Sequence, residues 1–125
     1  MQNEKVKFKI EFNKRLISFS LFVIKLCNEI RKDRNLWPIA NQLIRSATSI
    51  GANVIEAKSS SSKRDYLKYF EIALKSANET KYWLILIREC CPILKDKTIK
   101  LYQEVDEISK IIGASVLTLK GKRNI

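Results

Sequence analysis

The chain has no histidine among its 125 residues. That absence removes the commonest general base and the nitrogen ligand of most zinc centres. It also excludes a ferritin-like di-metal site, because such bundles use Glu-x-x-His pairs on facing helices. Cysteine is scarce and odd in number, at Cys27, Cys90 and Cys91. Adjacent cysteines bridge each other only under strain, so all three read as reduced core or near-core thiols of a cytoplasmic protein, with no metal and no cofactor. Three glycines and two prolines are too few for a collagen-like, low-complexity or disordered chain. No apolar run approaches the roughly 18 residues of a membrane span. Leu21 to Leu26 is broken by Lys25, and the opening MQNEKVKFKIEF carries charges where a signal peptide needs an apolar stretch. The expectation is a compact helical protein with no membrane partner.

What the chain does have is enough length for one domain, taken as residues 1–125, and a large surplus of positive charge. Lysine and arginine number 24 against 13 acidic residues, a net charge of +11. Such a surplus favours an acidic partner, with nucleic acid first and an anionic membrane or an acidic protein surface behind it. A lysine-rich surface that serves only solubility gives the same count.

The stretch from Gln42 to Glu89 organises the rest. Two strongly patterned helices flank KSSSSKRD, where serines compete for backbone hydrogen bonds and favour a turn and a cap. Upstream, Phe12, Leu16, Phe19, Val23, Leu26 and Ile30 recur at steps of four and three, which predicts a helix over about 12–32. A second apolar row, Ile17, Leu21, Ile24 and Cys27, widens its buried stripe. A helix over 38–58 follows, with Pro38 in its first turn and Ile39, Leu43, Ala47, Ile50 and Val54 on its seam. Its small residues Ala40, Ala47, Gly51 and Ala52 allow a neighbouring backbone to come close. The helix over 63–91 starts at a Ser62 cap backed by Asp65 and stops at Pro92. Its seam keeps four-three spacing from Tyr66 and Phe70 to Leu84, Ile87 and Cys91, with Tyr69, Ile72, Trp83 and Leu86 in a second row. The last helix, over 96–119, carries Leu101, Val105, Ile108, Ile112 and Leu119. Four such helices with short connections predict an all-α, antiparallel up-down-up-down four-helix bundle. The first nine residues read differently. Val6, Phe8 and Ile10 alternate with Lys5, Lys7 and Lys9, a strand pattern without a partner strand, so an extended arm is expected there.

Two sets of candidate residues emerge. The nucleic-acid-binding set is Lys14, Arg15, Lys25, Arg31, Lys32 and Arg34 on and after the first helix, Lys63, Arg64 and Lys68 at the central turn, and Lys120, Lys122 and Arg123 in the tail. Binding by these residues would neutralise phosphates with little sequence preference. The second set is a polar stripe on the 38–58 helix, made by Gln42, Arg45, Ser49, Asn53 and Glu56. Either it faces solvent, or Arg45, Asn53 and Glu56 join Glu71 and Glu79 in a structural network that fixes bundle register, since an unpaired buried charge costs several kcal/mol. No catalytic residues are expected; Glu56, Glu71 and Glu79 are the only candidates for acid-base work.

The run QLIRSATSIGANVIEA at 42–57 and SKRDYLKYFEIALKSANETKYWL at 62–84 resembles the four-helix-bundle proteins first associated with intervening sequences in bacterial 23S rRNA genes. It is similar to the subgroup reading SIGAN-x-x-EA; Ala57 stands where another subgroup has glycine. The resemblance implies the bundle fold and a homo-oligomer, with a pentamer favoured. A related group, the accessory variability determinant of diversity-generating retroelements, works with a reverse transcriptase and binds nucleic acid. The implication is a non-enzymatic accessory protein of RNA or DNA, with a reverse transcriptase as one possible protein partner. The competing reading is a protein-interaction or assembly module without nucleic-acid binding, which the surplus apolar rows of the first and third helices support.

Overall fold

A computed structural model describes residues 3–123, with side chains through Gly121. Four long helices, α1 (Glu4–Ile30), α2 (Trp37–Glu56), α3 (Lys63–Cys90) and α4 (Lys95–Arg123), form an all-α bundle, and short 3-10 turns follow each of the first three. Successive helices pack side by side along their lengths, whereas α1 meets α4 only sparsely. The bundle is therefore up-down-up-down, with one slack seam between its first and last helices.

The expected extended arm is not there, because α1 begins at Glu4. Asn3 accepts a hydrogen bond from the Val6 amide at 2.9 Å, and Glu4 sits in the first turn, where a negative charge complements the helix dipole. With a cap and no partner strand, the local alternation loses to helix formation. Val6, Phe8 and Ile10 lie exposed on those added turns.

The core follows the predicted seams. Phe12, Leu16, Phe19, Val23, Leu26 and Ile30 of α1 are all buried, as are Leu43, Ala47, Ile50 and Val54 of α2. From α3 come Phe70, Ala73, Ala77, Leu84 and Ile87, and from α4 Val105, Ile108 and Ile112. Each large side chain fully removed from water contributes about 1.5–3 kcal/mol. Leu67 and Val116 are buried too, while Ile39, Tyr66, Cys91, Leu101 and Leu119, all placed on the seams, are only half-buried. The second row of α1 departs from expectation: Cys27 is buried, but Ile17 and Leu21 are 51% and 54% exposed. They lie with Ile10 on the side of α1 opposite Phe12, Phe19 and Leu26, whereas the α4-facing side carries Arg15, Ser18 and Phe22.

Close approach of α1 and α2 is visible at Gly51, where an added Cβ would sit 3.4 Å from the Leu16 Cβ. The turn between these helices is closed by side chains. Trp37 donates its indole N–H to the Arg31 carbonyl at 2.7 Å, and Asp33 accepts from the Asn35 amide at 3.0 Å. At the next turn Ser62 caps α3 by accepting from the Asp65 amide at 3.1 Å, as its sequence indicates. The helix expected over 96–119 is longer at both ends, and α3 ends at Cys90 ahead of Pro92.

Candidate nucleic-acid interface

Antiparallel packing sorts the expected basic residues between two ends. The start of α1, the α2–α3 turn and the end of α4 share one end; the α1–α2 and α3–α4 turns share the other. At 1.5 Å per residue, helices of 27 to 29 residues hold these ends about 40 Å apart. Lys63, Arg64, Lys68 and Lys120 belong to the first end, while Arg31, Lys32 and Arg34 belong to the second, with Lys14, Arg15 and Lys25 along α1 between them. Lys122 and Arg123 have side chains outside the described residues. The set is thus not one patch.

Several of its members are already engaged. Arg15 makes a bidentate pair with Glu104 at 2.7 and 2.8 Å and reaches Glu107 at 3.3 Å, so its guanidinium clasps α1 to α4. The Glu104 hydrogen bond holds that guanidinium protonated even more firmly than usual. Lys120 lies 3.4 Å from Glu71, and Arg31 donates to Asn41 at 3.0 Å. Lys25 stands over the Phe22 ring and Arg34 over the Trp37 ring.

The five-residue polar network expected across α2 and α3 does not assemble within one chain. Arg45 and Glu56 are exposed and, among the described residues, have no ion pair. Glu71 goes to Lys120, and Glu79 accepts from its own helix, from the Trp83 indole at 3.1 Å. Arg45 and Glu56, three turns apart, share the solvent side of α2, so neither charge has to be buried. A smaller network of hydroxyls takes the place of the charged one. Thr80 meets Ser46 at 2.9 Å, Ser49 meets Ser76 at 2.9 Å, and Asn53 donates to both the carbonyl and the hydroxyl of Ser49. Of the five expected members only Asn53 takes part. Ser and Thr supply hydrogen bonds across a tight interface without the desolvation cost of a charge.

The open seam between α1 and α4 leaves grooves. Near the second end, Phe19, Phe22, Leu26 and Leu101 line one of about 490 Å³, and Phe22 is 58% exposed there. Its two carboxylates are spoken for: Glu29 takes Lys97 at 2.7 Å, and Glu104 takes Arg15. The Lys97 hydrogen bond holds the Glu29 carboxyl below its ordinary value. No pair of free acids faces this space, and among the described residues no three metal-ligating side chains converge.

The larger groove lies at the first end and is built by the α1 turns that the strand-like pattern concealed. It measures about 670 Å³ and is lined by Lys5, Phe8, Lys9 and Phe12 of α1, Lys58 of the turn after α2, Tyr66 and Phe70 of α3, and the later turns of α4. A neighbouring hollow of about 410 Å³ shares Lys58, Tyr66 and Leu119 and adds Lys63 and the serine turn. Glu4 is the one acidic residue lining either space, against four lysines. None of those lysines has an ion-pair partner among the described residues. Aromatic rings come in two stacked pairs, each from positions four apart on one helix. Phe8 lies over Phe12 at 6.0 Å and Tyr66 over Phe70 at 5.0 Å, nearly parallel in both cases. Burial pushes the Tyr66 phenol above its ordinary pKa, which keeps it neutral. Sequence reasoning found Lys63 here but missed Lys5, Phe8, Lys9 and Lys58; a capping asparagine followed by glutamate at positions 3 and 4 was the available signal.

The arrangement defines a class: an all-α four-helix bundle whose exposed features are cations, aromatic rings and apolar rows. A family model described as 23S rRNA-intervening sequence protein matches residues 9–114, and the chain belongs to that family. It is also similar to a crystallised protein of unknown function from the S23 ribosomal protein family of Bacteroides thetaiotaomicron. The two share 30% identity and a TM-score of 0.78 over 84% of this chain and 97% of that one. A comparison with the curated proteins gave no match. No helix of the described residues is long and apolar enough to cross a membrane.

Proposed function

We propose that this protein is a non-catalytic, nucleic-acid-associated bundle that works as a homo-oligomer and meets phosphates at its first end. The observation that carries the reading is the groove and its adjoining hollow, where Lys5, Lys9, Lys58 and Lys63 stand against a single glutamate. Unpaired ammonium groups around a concave surface concentrate positive potential where a phosphate backbone would lie. The family's own description points to rRNA genes, which agrees with a nucleic-acid partner. The non-catalytic reading is supported by the separate engagements of the acid-base candidates, with Glu71 on Lys120 and Glu79 on the Trp83 indole, and by the pairing of Glu29 and Glu104 in the apolar groove. Self-association, with the pentamer implied by the family resemblance, is supported by Ile10, Ile17 and Leu21, which share the outer side of α1.

The test is fluorescence anisotropy with labelled RNA and DNA at about 50 and 200 mM salt, where phosphate contacts lose orders of magnitude in affinity. Binding that falls steeply with salt supports the reading. No binding at the lower salt overturns it. The second reading, an assembly module, then rests on the exposed row of α1, and light scattering that returns the 14.5 kDa monomer overturns self-association.

A further inference from the structure

Lysines alone would suit any polyanion, but the groove at the first end carries more than lysines. Its two aromatic stacks are built alike: a buried ring, Phe12 or Phe70, supports an outer ring, Phe8 or Tyr66, on the preceding turn of the same helix. Phe8 is 55% exposed and Tyr66 half-buried, so each pair presents a braced outer ring to one concave space. A ring held by a stacked neighbour loses little conformational freedom when a further flat group is added. Flat groups with flanking negative charge are what single-stranded nucleic acids offer, and sequence-tolerant binding of such strands pairs aromatic stacking with cationic tracking of the backbone. A duplex keeps its base faces inside its own stack and presents only phosphates and groove edges. Asn13, Ser115 and Thr118 also line the groove, and neutral amides and hydroxyls are the partners a ribose 2′-hydroxyl needs.

Building on the nucleic-acid reading above, we infer that this groove takes an unpaired segment of RNA, with bases stacked on Phe8 and Tyr66 and phosphates on Lys5, Lys9, Lys58 and Lys63. The acid-poor lining supplies the charge complementarity, and the paired rings supply a reason for a single strand over a helix.

The experiment compares the intact chain with two variants, Phe8→Leu and Lys9→Gln, by anisotropy at low salt. The probes are an oligouridine of about a dozen nucleotides, a blunt RNA duplex of that length and the matching oligodeoxyuridine. Phe8→Leu keeps an apolar side chain on an exposed position, so helix content by circular dichroism should not change. The expected result is tighter binding of oligouridine than of either other probe. Phe8→Leu should weaken oligouridine about tenfold and leave the duplex unchanged, as loss of one stacking platform requires. Lys9→Gln should weaken every probe and lower the salt slope by about one. If the duplex binds as tightly as the single strand and Phe8→Leu changes nothing, the stacking inference fails while nucleic-acid binding stands. Equal affinity for oligodeoxyuridine overturns the assignment to RNA. No binding of any probe overturns the underlying reading itself.

Discussion

Thr80 of α3 places its hydroxyl 2.9 Å from that of Ser46 on α2, in a part of the interface closed to water. The Thr80 oxygen also lies 2.8 Å from the Ser76 carbonyl, and Ser46 donates to the Leu43 carbonyl at 3.2 Å. Two protons thus serve three contacts, and the pair joins the Ser49–Ser76 contact in tying α2 to α3 across an otherwise apolar interface.

Thr80→Val keeps the shape of the side chain and removes the link. The Ser46 oxygen is then buried without its donor, and the cost is about 1–2 kcal/mol in a urea unfolding titration. Adding Ser46→Ala should cost less than the sum of the single changes, because the stranded oxygen leaves with it. Strict additivity of the two would show that the hydroxyls do not interact.

Arg15 was expected from sequence to contact phosphate, and the structure gives it to Glu104. Both side chains are about a third exposed, so solvent screens the pair. Arg15→Gln should lower unfolding free energy by about 0.5–1 kcal/mol and leave affinity for nucleic acid unchanged. A drop in affinity matching that of Lys9→Gln would return Arg15 to the interface.

Asp106 of α4 sits between Lys81 at 3.0 Å and Lys110 at 3.1 Å. The hydrogen bond from Lys81, then that from Lys110, holds its carboxyl below the ordinary 3.8. The unfolded chain therefore takes up this proton first as pH falls. Stability from the cluster is complete above about pH 4 and disappears as pH drops through the lowered folded value. Melting temperatures of the protein and of Asp106→Asn should differ at pH 7 and draw together as pH falls below the ordinary carboxylate range; a gap that does not narrow in acid would assign the effect to something other than charge.

The three thiols should behave in different ways. Burial pushes Cys27 up to about 11, with Arg31 pulling weakly the other way. From pH 9 to 11 the unfolded thiol ionises while the folded one stays protonated. Its contribution is full below pH 9 and is lost as pH rises, by an amount on the order of 2 kcal/mol. Cys27→Ala should flatten that alkaline slope. Cys90 is exposed, and its sulfur lies 3.6 Å from that of Cys91, whose own thiol is likewise raised to about 11. An aromatic disulfide reagent at pH 8 should react with Cys90 at once and with Cys27 only at the rate of global unfolding.

Much of this architecture is legible in the residue pattern. Seam positions of α1, α2 and α3 spaced at three and four identify the buried faces, and Ser62 and Pro92 bound the third helix because capping and ring geometry act locally. What the pattern does not carry is which surface stays free. Ile17 and Leu21 look like core by composition, yet they lie on the side of α1 turned away from the other three helices. Arg45 and Glu56 share an azimuth on paper, yet nothing in their spacing tells that hydroxyls do the cross-linking. The first turns of α1 were hidden for a related reason: alternation over six residues outweighs one asparagine when cap and pattern are judged separately. Because the groove depends on those turns, its Glu4, Lys5, Phe8 and Lys9 wall was hidden with them.

The slack α1–α4 seam bears on how the chain reaches its native state. Every tightly packed pair of helices consists of neighbours in sequence, joined by a few residues, and the first and last helices touch far less than any of these pairs. Average sequence separation of contacts is therefore low, and little loop-closure entropy has to be spent before packing begins to repay it. Each hairpin can zip from its own turn, and the termini need meet only at the end. Folding on the microsecond-to-millisecond scale of simple helical bundles follows from that order of events.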